Sequence, residues 1–253
     1  MKKIIIFDLD GTLAESKNPL TPPMSGLLAK LLVKVKVAVV SGASFKQFEK
    51  QFLAYLPADP ELLKNLYLFP VNGSSFYAYE GHWKQIYAEN LSSEDERKIK
   101  EAFTQAIEES GIDIPKRTYG EIIQEREGSQ ITFSALGQEA PIELKRVWDP
   151  NQEKRLKVVS ILERLLPDFE ARTGGMTSID VTRKGIDKKY AVEKIVEYFK
   201  IDKSDMVYAG DQLFPGGNDY GAIEAGIETE RVNNPGETEI FIKKILDSNQ
   251  DKL

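Results

Sequence analysis

The chain has 253 residues, 41% of them hydrophobic and 29% charged, with a formal charge of −6 and no cysteine. That length calls for one large or two modest cores, and the composition is that of an ordinary soluble globular protein. Net acidity argues against general affinity for nucleic acid or anionic membranes; lack of thiols excludes disulfides and thiolate metal sites; and no apolar run approaches a membrane span.

The first element is read in KKIIIFDLDGTLAE. Lys3 to Phe7 predict a buried parallel strand, β-branched and aromatic, ending abruptly in turn chemistry. The chain thus opens on a core strand, which predicts no signal peptide and a cytoplasmic protein. Thr21 is a natural N-cap with Pro22 at the first helical position, and Leu27, Leu28, Leu31 and Leu32 supply the apolar face of the helix that follows. Val35 to Val40 predict a second strand ending at Ser41-Gly42-Ala43-Ser44, then a helix to about Leu56. Tyr67 to Val71 predict a third strand, and Phe76 to Tyr87 a hairpin turned at Glu80-Gly81.

The middle of the chain changes character. Ser93 with Glu96 reads as a capping box, opening a helix with Ile99, Ala102, Phe103, Ala106 and Ile107 on one face and Gly111 at its end. Short alternating strands follow at Glu121–Arg126, Gln130–Leu136 and Thr177–Thr182, with a helix from about Glu153 to Leu166 stopped by Pro167. A helix over Asp187–Phe199 and a strand over Met206–Ala209 then resume the parallel pattern. The expected fold is α/β: a doubly wound parallel sheet, residues 1–83 and 184–253, carrying a smaller inserted α+β unit at 84–183. The polar tail from Asp247 to Leu253 is expected to fray.

Chemistry concentrates where strands end, the place at which open α/β sheets hold ligands. Asp8 and Asp10 follow the first strand with one residue between them, so strand alternation sends both toward one side. Paired carboxylates repel unless a cation sits between them, and hard divalent cations such as Mg²⁺ take oxygen ligands. Gly11 permits a tight turn, and Thr12 offers a hydroxyl and an N–H to an anion. Ser41, backed by Gly42, reads either as a phosphoryl-binding hydroxyl or as a plain helix cap, a part Ser44 also fits. Asp211 ends the strand in VYAGDQLFPGGNDYGAI, from which it can face the crevice of Asp8; Asn218 and Asp219 would orient a water or a lysine from further out.

D-x-D-G-T after an N-terminal strand resembles the haloacid dehalogenase-type phosphotransferases. The resemblance implies Asp8 as nucleophile and Asp10 as general acid/base, a division that suits a reactive acyl-phosphate route. It also implies Ser41 on phosphate and Lys188 of G-x-D-K as the neutralising cation, with Lys189 as the alternative. Mg²⁺ would be held by Asp8, Asp211 and the backbone carbonyl of Asp10. GDQLFPGGND at 210–219, FPVNG at 69–73 and GGMTSIDV at 174–181 are similar to the eukaryotic phosphomannomutases. That narrower likeness places Arg126, Ser178 and Asp180 on a sugar phosphate and hints at a homodimer formed through the inserted unit.

Departures from that pattern matter. Lys17, Gln138 and Lys145 stand where the mutases carry arginines, with Arg146 close by; lysine lacks the planar fork and glutamine has no charge. The sequence therefore predicts a Mg²⁺-dependent phosphatase acting on a sugar phosphate, with phosphomannomutase as the nearest rival. A non-catalytic sugar-phosphate-binding protein is the alternative of another class. His82, the only histidine, is expected at the surface and Trp148 in packing, while the charge run Glu94–Lys100 reads as a solvated helix face.

Overall fold

A computed structural model describes residues 2–57 and 59–248, so most of the tail from Asp247 lies outside the described residues. The chain divides into two compact units, residues 1–88 with 186–253, and residues 89–185. The boundaries fall a few residues later than the composition suggests, because the second strand of the hairpin belongs to the first unit's sheet.

In chain order the first unit contributes β1 (Ile4–Phe7), α1 (Pro22–Leu32), β2 (Lys36–Val40), α2 (Phe45–Gln51), α3 (Pro60–Leu63), β3 (Leu66–Phe69), β4 (Ser75–Tyr79) and β5 (Trp83–Ala88). The second unit holds α4 (Ser93–Ser110), β6 (Ile123–Arg126), β7 (Gln130–Ser134), α5 (Ile142–Trp148), α6 (Glu153–Leu165), β8 (Phe169–Gly174) and β9 (Ser178–Arg183). The chain then returns to the first unit with α7 (Lys188–Phe199), β10 (Met206–Gly210), α8 (Tyr220–Glu224), β11 (Glu228–Arg231) and α9 (Pro235–Asp247).

The first unit's sheet runs β11-β10-β1-β2-β3-β4-β5. Its strands are parallel from β11 to β3, with β4 and β5 antiparallel at one edge. Both faces are buried, as continuous apolar strands require. Ile5, Phe7, Val37, Val39 and Leu68 pack with α1, α2 and α9, whereas Ile4, Ile6, Ala38, Val40 and Tyr208 pack with α7 and α8. This is the expected doubly wound arrangement. Thr21 caps α1 by accepting from Met24 N–H at 3.3 Å, with Pro22 inside the first turn. Among the described residues no helix is long and apolar enough to cross a membrane.

The helix after β2 ends early, at Gln51, and passes into a 3₁₀ turn over Leu53–Tyr55. The third strand stops at Phe69 because Pro70 has no N–H to give and Val71 and Asn72 turn to positive φ.

In the second unit, α4 and α6 cover one face of an antiparallel sheet ordered β6-β7-β9-β8. Ile131, Phe133, Ile179 and Val181 point into that core with Phe103 and Leu162. Alternation sends Arg126, Thr132, Ser178 and Asp180 to the other face. The capping box is Ser92 with Asp95, one residue before the expected pair: Ser92 accepts from Asp95 N–H, and Asp95 accepts from Ser92 N–H. A buried ion pair, Arg155 Nε to Asp149 Oδ2 at 2.9 Å, also reaches the Gly175 carbonyl at 2.7 Å. It ties the end of α5 to the β8–β9 turn.

Candidate active site

Strand alternation builds the centre. Ile4 and Ile6 face α7, so the next even position, Asp8, faces it too, and so does Tyr208 one strand over. Asp187 caps α7 by accepting from Tyr190 N–H at 2.9 Å, which fixes Lys188 in the first turn. Lys188 is fully buried and donates to Asp8 Oδ1 at 2.5 Å and to the Val40 carbonyl at 2.5 Å, with Asp219 Oδ1 at 3.6 Å. Asp211, just past β10, completes the group: Asp8, Asp211 and Asp219 each place a carboxylate oxygen within 4.8 Å of the others. Gly11 is needed beside it, since φ is +87° and an added Cβ would stand 2.7 Å from Asp211 Oδ2.

Charge does not balance there. Two ionised carboxylates at such separations repel by about 3–4 kcal/mol even at an effective dielectric of 20. One ammonium cannot satisfy three carboxylates. Burial therefore pushes the Asp8 carboxyl up to about 7, a rise that Lys188 opposes and that Asp219 and Asp211 reinforce. Burial, followed by the charge on Asp219, also raises Asp211. Burial alone would lower Lys188, but Asp8 and Asp219 outweigh it and the amine is raised, so it stays charged. Burial and then Asp219 raise Tyr208 well above the phenol range, so its hydroxyl remains a neutral donor, given to Asp219 Oδ1 at 2.6 Å. Gln212 N–H holds the other Asp219 oxygen at 3.0 Å.

A raised carboxyl makes stability depend on pH. The folded protein binds a proton at Asp8 that the unfolded chain releases near 3.8, so this contribution is fully present below that value and is lost as pH rises through about 7. Melting temperatures measured in EDTA should fall between pH 5 and pH 8, and Asp8→Asn should flatten the slope. A slope unchanged by that substitution would assign the titration to another group.

The other expected site residues divide into those the fold brings to this centre and those it does not. Thr12 is buried, and its hydroxyl lies 3.4 Å from Asp211 Oδ1, turned toward a carboxylate. Ser41 is buried at the end of β2; its Oγ accepts from Ala43 N–H at 3.1 Å, and Gly42 follows it. Asp10 takes partners other than those of Asp8. Strand geometry ends at Phe7, the chain turns at Gly11, and Asp10 Oδ1 accepts from Lys17 N–H at 2.7 Å and from Gln51 Nε2 at 3.0 Å. Its carboxylate therefore takes partners on the α2 side of the sheet, while that of Asp8 takes them on the α7 side. Asp219, expected further out, stands within the acidic group, whereas Asn218 is exposed and gives its backbone N–H to Gln212 Oε1.

In the second unit, Arg126 Nη2 donates to Gln138 Oε1 at 3.3 Å and Lys145 Nζ to the Gln138 carbonyl at 2.8 Å. Asp180 Oδ1 accepts from Thr132 Oγ1 at 2.7 Å, and Ser178 lies opposite Ser134 on the same polar face. Two polar partners escaped the sequence reading. Gln51 reads as a helix residue and Tyr208 as core, and nothing in either local pattern marks a role.

Comparison with known proteins agrees with these motifs. The family model for eukaryotic phosphomannomutase matches residues 24–248. Phosphomannomutase 2 of Dictyostelium discoideum is 30% identical over 250 residues, covering 95% of this chain and 91% of the relative. The phosphomannomutase of Spinacia oleracea is 30% identical over 255 residues, covering 95% and 96%. The fold matches a haloacid dehalogenase-like hydrolase from Bacteroides thetaiotaomicron with a TM-score of 0.62 at 15% identity, over 97% of this chain and all of that one. The protein is a phosphoryl-transfer enzyme built on a haloacid dehalogenase-like fold. The chain belongs to the eukaryotic phosphomannomutase family.

Proposed function

We propose that the enzyme is a Mg²⁺-dependent phosphatase acting on a phosphorylated sugar in the cytoplasm. The observation carrying the chemistry is the buried group of Asp8, Asp211 and Asp219 around one lysine. It offers only hard oxygen donors and excess negative charge, which suits a divalent cation. Asp8 and Asp211, with the carbonyl of Asp10, would hold Mg²⁺, which when bound lowers the charge of the transferring phosphoryl oxygens.

The chain's own groups account for the remaining steps. An Asp8 carboxylate oxygen attacks phosphorus, the bond to the sugar oxygen breaks, and Asp10, its carboxylate swung from Gln51 and the Lys17 N–H toward Asp8, gives that oxygen its proton. Water then attacks the aspartyl phosphate, Asp10 takes a proton back, and inorganic phosphate leaves from a restored Asp8. Lys188 and Ser41 offset the charge of the phosphoryl oxygens. Arg126, Ser178 and Asp180 would hold the sugar end, with Lys145 alongside.

Water as the acceptor is supported by the weak clamp on that second unit. A mutase must grip the distal phosphate in two orientations, yet Gln138 is uncharged and already occupies Arg126. Family membership favours the second reading, phosphomannomutase, in which a sugar phosphate accepts the phosphoryl group. Incubation with mannose 1-phosphate, a hexose bisphosphate activator and Mg²⁺ separates the two. Free phosphate forming faster than mannose 6-phosphate is the expected result, and the reverse order establishes the mutase. Size-exclusion chromatography of the same preparation reads the cap-mediated dimer implied by the family.

A further inference from the structure

Three successive residues after β3 hold positive φ: Val71 at 49°, Asn72 at 54° and Gly73 at 85°. Glycine does this freely, but a β-branched residue there is strained, and strain of this kind persists only where the surroundings impose it. They do so from two sides. Val71 N–H is given to the Ala43 carbonyl at 3.0 Å and Asn72 N–H to the Ser41 carbonyl at 2.8 Å. On the other side Gly73 lies so close to α7 that a Cβ would stand 2.7 Å from Ala191 Cβ, one helical turn beyond Lys188. The segment is wedged between the Ser41 loop and the helix carrying Lys188.

The wedge sets the Asn72 side chain over Gly42. A Cβ on Gly42 would stand 3.9 Å from both Asn72 Nδ2 and Asn72 Oδ1. Asparagine tolerates the left-handed region when its side chain bonds locally to the backbone. Here Oδ1 makes no such bond, because it is buried without a hydrogen-bond partner among the described residues. A carboxamide left with an unmet acceptor is costly to keep, and glycine would serve the backbone better.

We propose that Asn72 is a further substrate-contacting residue, its carboxamide donating through Nδ2 to a phosphoryl oxygen held over Gly42 beside Ser41. This rests on the reading that the Ser41 loop receives the transferred phosphoryl group. A neutral amide suits that place, since the acidic group nearby already carries excess charge.

The test compares Asn72→Gly and Asn72→Asp with wild type in Mg²⁺, using p-nitrophenyl phosphate turnover, vanadate inhibition and melting temperature. Asn72→Gly should keep or raise the melting temperature, because glycine relieves the positive φ. It should nevertheless lose about a hundredfold in kcat/KM, as expected for one lost donor, and bind vanadate correspondingly more weakly. Asn72→Asp has nearly the same shape and brings an anion to the phosphoryl group, so it should be worse than Asn72→Gly on both readouts. Wild-type turnover and vanadate inhibition in Asn72→Gly, or an Asn72→Asp no worse than Asn72→Gly, would overturn the inference while leaving the phosphatase reading intact. A wild-type protein inert toward both probes would remove that reading and the inference with it.

Discussion

Asp8→Asn should cut phosphate release by at least about a thousandfold while the protein stays folded. The amide can no longer form the acyl-phosphate, yet its oxygen can still accept from Lys188, which also keeps the Val40 carbonyl. Removing one buried negative charge relieves the repulsion from Asp211 and Asp219. The metal-free melting temperature at pH 8 should therefore equal or exceed that of wild type. The gain on adding Mg²⁺, which grows with affinity for the folded state, should shrink. Phosphate release and thermal melts on the same preparations check both parts. Loss of activity together with loss of the fold would make Asp8 a structural residue, and retained activity would move the nucleophile elsewhere.

Lys188→Met should show the largest stability effect in the molecule, and an unusual one because metal should mask it. Methionine keeps a long unbranched side chain but removes the fully buried ammonium between Asp8 and Asp219. Breaking a buried ion pair from one side costs about 3–5 kcal/mol, because the remaining charge has no partner. Urea unfolding in EDTA at pH 8 should show a loss of that size. At pH 5, where the Asp8 carboxyl is protonated, the loss should be smaller. Saturating Mg²⁺ should narrow the gap at pH 8 without restoring turnover, since the phosphoryl group still lacks its lysine. A variant as stable as wild type in EDTA at pH 8 would mean that the carboxylates are already neutral there, against the charge accounting above.

Much of the sheet unit was legible because its signals are local. The unbroken IIIF and VAVV runs, Thr21-Pro22 and Asp187 each specify one element with residues a few positions apart. The acidic centre was legible because D-x-D-G-T and GDQLFPGGND lie at strand ends. What escaped depends on where the backbone turns after a strand. Alternation put Asp10 beside Asp8, but only the turn at Gly11 supplies its partners, the Lys17 N–H and Gln51 Nε2. Asp219 belongs to the acidic group only because the loop after β10 folds back on Gln212 N–H. Ser92 and Ser93 offer the same chemistry one residue apart, and only the helix start separates them. β11, read from Glu-Thr-Glu-Arg, is a polar edge strand with no buried residue to announce it. β8 alternates, with Phe169 and Ala171 buried and Glu170 and Arg172 paired outside at 2.7 Å, but two inward apolar residues make a short signal. Neither strand announces itself by its apolar pattern.

The pairing of β1 with β10 joins residues roughly two hundred positions apart, Ile4 to Met206 and Phe7 to Ala209. On the ribosome this imposes a sequence of events. The inserted segment, 89–185, is continuous and holds all of its own strands, so it can mature while the last quarter or so of the chain is still being made. The waiting sheet meanwhile ends at β1, whose vacant flank is open to any passing strand. Metal binding cannot assist this stage, because Asp211 and Asp219 emerge after β10 itself. Chaperone dependence during translation should thus fall in the interval before β10 emerges, and a circular permutant that brings β10 next to β1 in sequence should shorten it.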